Sequence, residues 1–194
     1  MPLTAKQDNL NPFHFNRRKA IQAVAFLLKL KHDSARTDNY MRVLKLLYFA
    51  DRESIRETGS PITGDRFVAM KHGPTLSYLL EFVNQQRFDN AEWDEYIERI
   101  EYEIRLVKDP GNSELSRYEI NLLKKIWDEN RNLGDFDIAD KSEQLSEWKE
   151  NDPGNSSRFI PLKDVLKALG LSDCLAEIEM LAAENKAIKQ LFGA

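Results

Sequence analysis

Residues 61–74 read Pro61-Ile62-Thr63-Gly64-Asp65-Arg66-Phe67-Val68-Ala69-Met70-Lys71-His72-Gly73-Pro74. The stretch sets an acid, a guanidinium, a lysine and a histidine beside two glycines and two prolines, so it has the residue types of a catalytic loop and also those of a chain reversal. Its punctuation decides the fold. Gly59-Ser60-Pro61 stops a preceding helix. Phe67–Met70 is a short apolar run between turn residues and is expected to be a strand. Gly73-Pro74 is expected to open the next helix, because proline at the first helical position lacks only a donor that the helix does not use.

Upstream, Ile21, Val24, Ala25, Phe26, Leu27, Leu28 and Leu30 leave almost no polar face between Arg17 and Lys31, which predicts a helix buried at the centre. A break at Asp33-Ser34 follows. Thr37 or Asp38 is expected to cap a second helix running to about Thr58. Downstream, Leu76, Leu79, Leu80 and Val83 form an amphipathic stripe over Thr75–Arg87. Ile100, Tyr102, Ile104 and Leu106 alternate with polar residues and predict a half-buried strand. Asp109-Pro110-Gly111-Asn112 reads as a turn. Ser116-x-x-Glu119 matches a capping box for a helix to about Asn132, closed by Gly134. A shorter helix is expected over Ile138–Trp148, a loop over Asn151–Ser157, a helix carrying Leu162, Val165, Leu166 and Leu169, and a last helix from about Ser172. The expected fold is mostly α, a compact helical domain with a small inserted β element, either a hairpin or a short sheet. Residues 1–15 read as a partly ordered lead-in, and 16–194 as a single domain in which 160–194 forms a C-terminal helical pair.

The chain has 194 residues, 42% apolar and 31% charged, ordinary values for a water-soluble fold. No run approaches the ~20 apolar residues of a membrane helix, and the first residues lack an apolar signal core. A cytoplasmic protein with no membrane partner is expected. One cysteine, Cys174, excludes an intrachain disulfide and a cysteine-based metal cluster. The net charge of −4 hides an asymmetry: residues 1–88 carry 14 basic and 8 acidic residues, residues 89–194 carry 14 and 24. The acids concentrate at 89–103 and 135–152, with seven in each segment. Such surfaces can cover the basic site of a protein that acts on nucleic acid, and speed its association.

Signals for chemistry are weak. His14, His32 and His72 fit no metal-ligand spacing. Asp65 and Ser77 near His72 resemble no nucleophile elbow. No glycine pattern for phosphate binding is present. Arg17-Arg18-Lys19 lacks the aromatic interleaving of a base-stacking surface, so nucleic acid is not expected as a partner. No cofactor or metal is expected. In the last helix Leu171, Cys174, Ile178, Leu181, Asn185, Ile188 and Phe192 alternate at spacings of three and four. That stripe fits docking on the chain's own domain, or pairing with a partner or with a second copy in which Asn185 sets the register.

Three blocks carry a resemblance: Lys45-Leu46-Leu47-Tyr48-Phe49-Ala50-Asp51-Arg52, then Gly59–Asp65, then Phe67–Pro74. In order and spacing they resemble the Panacea domain of SocA-like antitoxins and phage-associated proteins, with the strong similarity over about 20–88. Relatives place a Ser-His pair before a tryptophan in the last third. Here Lys141-Ser142-Glu143-Gln144-Leu145-Ser146-Glu147-Trp148 has no histidine, so no role of that residue carries over. The resemblance implies a non-enzymatic module that neutralises a cognate toxin, encoded next to it, by direct protein–protein binding. Thr63, Asp65, Arg66, Lys71 and His72, with Asn185, Ile188 and Phe192 of the last helix, are the expected contact residues. Asp65, Arg66 and Lys71 would either brace the loop or face the partner. Two other readings stay open: an adaptor that delivers a partner to a protease through Leu191-Phe192-Gly193-Ala194, and a hydrolase using Asp65, Lys71 and His72.

Overall fold

Burial of the apolar stretches of two helices against each other organises the chain. The computed structural model describes residues 11–31, 36–87 and 89–192, with the side chains of 189, 190 and 192 outside that description. Helix α1 (Arg17–Leu30) is capped by Asn16, whose side chain accepts from Lys19 N, and it buries Ala20, Ile21, Val24, Leu27 and Leu28. Helix α2 (Tyr40–Thr58) lies at the centre and buries twelve residues, Lys45 and Asp51 among them. It ends at Gly59 in the left-handed region, φ 73°, where an L side chain would be strained. Helix α5 (Arg117–Asn130) packs on both. Its capping box is formed as expected: Ser116 Oγ accepts from Glu119 N at 3.2 Å, and Glu119 accepts from Ser116 N at 2.7 Å. One apolar cluster runs from Ala20 to Ile178.

The β content is larger than one hairpin. Strand β1 (Thr37–Asn39) pairs with β5 (Glu103–Leu106), which pairs with β4 (Ile97–Ile100), all antiparallel. Strands β2 (Phe67–Met70), β3 (Gly73–Leu76) and β6 (Arg158–Phe159) form a second antiparallel sheet in the order β3-β2-β6. Among the described residues the fold is mostly α with two small three-stranded sheets.

Several boundaries differ from the sequence reading. Thr37 and Asp38 lie in β1, and the cap of α2 is Asn39, which accepts from Met41 N at 2.9 Å. The predicted strand over 100–106 is split by a turn at Glu101 (φ 54°), so Ile104 and Leu106 are buried while Ile100 and Tyr102 lie on the surface. Gly73-Pro74 does not open a helix. It lies in β3, an edge strand, where proline's missing donor costs no ladder bond. Helix α3 begins only at Ser77 and ends at Val83. Helix α4 (Ala91–Tyr96) was not foreseen. Gly134 caps α6 (Asp135–Glu143), and α7 (Ser146–Glu150) is separate, where one helix was expected. Helix α8 (Leu162–Ala168) ends at Gly170; a 3₁₀ turn, Ser172–Cys174, leads into α9 (Leu175–Phe192). The break expected at Asp33-Ser34 and most of the lead-in, residues 1–10, lie outside the described residues.

Candidate functional site

Lys45 and Asp51 lie six residues apart on α2, and each organises one half of the 59–77 segment. Asp51 accepts from Ile62 N at 2.9 Å, from Thr63 N at 3.0 Å and from Thr63 Oγ1. Thr63 Oγ1 in turn accepts from Asp65 N at 3.1 Å. Asp65 reaches forward past the whole β2–β3 hairpin. Its carboxylate accepts from Arg66 N at 2.6 Å and from Tyr78 N and Leu79 N, at 2.8 and 2.9 Å, in the first turn of α3. It is the cap that Leu76, at the N-cap position, cannot supply. Arg66 lies across the Tyr78 ring, 4.1 Å from its centre, and donates to Glu81 at 3.1 Å.

On the other side, Lys45 Nζ donates to His72 O, to Pro74 O at 3.3 Å and to Ser142 Oγ of α6 at 3.0 Å. The ammonium holds three acceptors together where the hairpin meets α6. Gly73, at φ 92°, lies against this point, and a Cβ there would overlap Ser142 Oγ and Lys45 Nζ. Trp148 Nε1 donates to Met70 O at 2.9 Å. Glu147, fully buried, accepts from Tyr48 Oη at 3.1 Å and from Arg52 Nε at 2.6 Å.

Burial pushes the Asp51 and Asp65 carboxyls up to about 7, against the opposing pull of the Thr63 hydroxyl on Asp51 and of the amides that donate to both, and it pushes Lys45 down to about 8. Asp51 and Asp65 therefore keep a proton in the folded chain at pH values where the unfolded chain has released it, above the usual 3.8. Their contribution to stability is full below that value and is lost as the pH rises through about 7. Glu53, held down to about 2 by Arg56 and Lys125, acts in the opposite sense, but only below its usual 4.5. The urea midpoint is expected to increase from pH 7.5 to 5.5, and the increase should shrink in Asp51→Asn. A midpoint that falls over this interval in the parent chain would refute the assignment.

The expected contact residues separate into two groups. Thr63, Asp65 and Arg66 are 0, 2 and 3% exposed, and their polar groups brace the loop. Lys71 and His72 form the two-residue turn between Met70 and Gly73 and face solvent. Asp65, Lys71 and His72 are not brought together: Asp65 points to the start of α3, and His72 Nδ1 lies 3.7 Å from Glu143. Ser77 Oγ donates to Glu81, not to His72. In α9, Ile178 and Ala182 dock on the domain, with Ile178 against Gly59, while Asn185 and Ile188 are exposed. The side chain of Phe192 lies outside the described residues.

The two acidic segments also differ. At 89–103, Asp89 pairs with Arg17 and Arg87, Glu92 with Arg18, Glu95 with Lys108 and Glu98 with Arg105. Four of the seven acids are thus paired, two of them, Asp89 and Glu92, with arginines of the first half, and the Arg17-Arg18-Lys19 cluster is absorbed too, with Lys19 pairing with Glu119. On α6, Asp135, Asp137 and Asp140 are exposed and make no ion pair among the described residues. Between them stands Phe136, 87% exposed. Phe136, Asp140 and Glu143 follow at offsets 0, 4 and 7, so one ridge of α6 runs up to His72. The sequence reading missed Phe136; an aromatic between two aspartates in a helix's first turn was the available signal.

Among the described residues no group of side chains suits a metal ion, and no helix is long and apolar enough to cross a membrane. A family model described as antitoxin SocA-like, Panacea domain, matches residues 43–149. That span holds the Lys45, Asp51 and Asp65 networks, the hairpin, α6 and Trp148. Comparison with curated proteins and with solved structures gave no match.

Proposed function

This chain belongs to the SocA-like antitoxin family with a Panacea domain, and from that premise we propose that it neutralises a cognate toxin protein, encoded beside it, by binding it directly. The observation that supports the reading is the division of labour in the matched segment. Buried Lys45, Asp51 and Asp65 hold the hairpin and its flanks, while Lys71 at the hairpin tip and Asp135, Asp137 and Asp140 on α6 make no ion pair among the described residues and Phe136 is exposed. An exposed phenylalanine ringed by carboxylates suits a partner with an apolar pocket in a basic surface. The ring supplies the desolvated anchor and the aspartates supply orientation and association rate.

The test is co-expression with the product of the adjacent reading frame, scoring growth and co-purification. Rescue with a stable complex is expected. Phe136→Ala should weaken the complex by about 30-fold, corresponding to ~2 kcal/mol. Reversing Asp135, Asp137 and Asp140 to lysine should slow association and remove most of its salt dependence. Rescue without a complex would overturn direct binding. A complex indifferent to both changes would move the contact away from α6.

A further inference from the structure

Two segments outside the matched span, residues 11–16 and α9, meet at one place, the far face of the 60–66 loop. Residues 11–16 cross it as a strap: Asn11 Nδ2 donates to Gly64 O at 3.0 Å and Asn16 N to Thr63 O at 2.9 Å. Gly64, at φ 70°, lies so close to the His14 carbonyl that a Cβ would overlap it. Helix α9 approaches from the other side, where Asn185 and Lys186 line a small hollow over Ser60–Gly64. Beside that hollow, and sharing His14 and Lys186 with it, opens a cleft of about 250 Å³. Asn11, His14, Arg66, Tyr78, Arg87 and Lys186 line it with two phenylalanines, and none of the described lining residues is a carboxylate.

Its cations are held in two ways. Glu81 takes Arg66 on one oxygen and Arg87 on the other, each at 3.1 Å, and Asp89 takes Arg87 as well, also at 3.1 Å. Both guanidinium groups also lie over the Tyr78 ring, at 4.1 and 4.9 Å from its centre. They are fixed in place before any ligand arrives, which lowers the ordering cost of binding. Lys186 and His14 are exposed and make no side-chain hydrogen bond or ion pair among the described residues, so Lys186 adds an uncompensated charge.

We infer that this cleft binds an anion, and that the anion is a phosphate monoester on a small organic body. A phosphate presents three terminal oxygens and up to two charges, enough to meet Arg87, Lys186 and His14 together; a carboxylate has two oxygens and one charge. The volume exceeds what a bare phosphate fills, and Phe13 and Phe15 offer an apolar wall for the remainder. The inference is independent of toxin neutralisation, since it concerns a face away from the hairpin tip and is read without a partner.

The experiment titrates the full-length chain, ¹⁵N-labelled, with phenyl phosphate, inorganic phosphate and benzoate at constant ionic strength. Saturable shifts at the Tyr78 and His14 amides are expected with phenyl phosphate, at an affinity about tenfold above either other anion. Lys186→Ala, on an exposed position that leaves folding intact, should weaken binding about tenfold, as should Arg87→Gln. Equal, non-saturating shifts with all three anions would overturn the site, as would full affinity in Lys186→Ala. Inorganic phosphate binding as tightly as phenyl phosphate would overturn the monoester assignment.

Discussion

Replacing Gly73 with alanine should lower the unfolding free energy by about 3 kcal/mol and the melting midpoint by roughly 6–12 °C. Two costs add. The backbone at φ 92° is one that L residues rarely adopt. The new methyl also enters the space where Lys45 Nζ and Ser142 Oγ meet, so the hairpin must move off α6 or the lysine must give up its acceptors. A buried ammonium stripped of acceptors is among the costlier defects a core can carry. Combining Gly73→Ala with Ser142→Gly should recover part of the loss, because one of the two obstructions disappears. A single variant within ~0.5 kcal/mol of the parent would show that the hairpin has slack at this point.

Asp65→Ala should cost about as much, roughly 3 kcal/mol near neutral pH. The change orphans three backbone amides, Arg66, Tyr78 and Leu79, inside the protein, and it leaves the first turn of α3 uncapped. The sum stays below three full penalties because the parent carboxyl is itself held at a desolvation cost, visible in its raised value of about 7. Asp65→Asn separates the two effects. Its single oxygen can keep the Arg66 and Tyr78 amides, which share Oδ1, and lose Leu79 alone, so about half the cost is expected. Proteolysis of the 77–83 segment should be faster in Asp65→Ala than in the asparagine variant. Equal stability of Asp65→Ala and the parent would remove the capping role.

The sequence displays its local relations and hides its distant ones. The apolar run of α1 and the Ser116–Glu119 box are legible because every residue that explains them lies within one or two turns. The start of α3 was misplaced because its cap comes from Asp65, twelve residues before Ser77 and on the far side of a hairpin that folds back in between. The same holds for Gly73-Pro74. A proline after a glycine suits a helix start or an edge strand equally well, and only pairing with β2 decides. At the site, the residue types of 61–74 were read correctly as a loop signature, but their side chains were not separable by type. Asp65 and Arg66 look as reactive on paper as Lys71 and His72. What distinguishes them is that Asp65 finds backbone amides and Arg66 finds Glu81 and Tyr78, while the turn finds water. The acidic segments show the same limit, since the partners of 89–103 include Arg17, Arg18 and Arg87 from the other half of the chain.

The clamp on the hairpin has a further consequence, for how such a protein changes over generations. Met70 is tied through its carbonyl to Trp148, and Gly73 is wedged against Lys45 and Ser142, yet the side chains of the two residues between them are exposed. Substitutions at 71 and 72 therefore meet almost no stability filter, whereas those at 73 meet a strict one. A library randomised at Lys71, His72 and the exposed positions of α6 should retain folding in most members while exploring new surfaces. A scaffold that confines its intolerance to the base of a loop leaves the tip free to diverge.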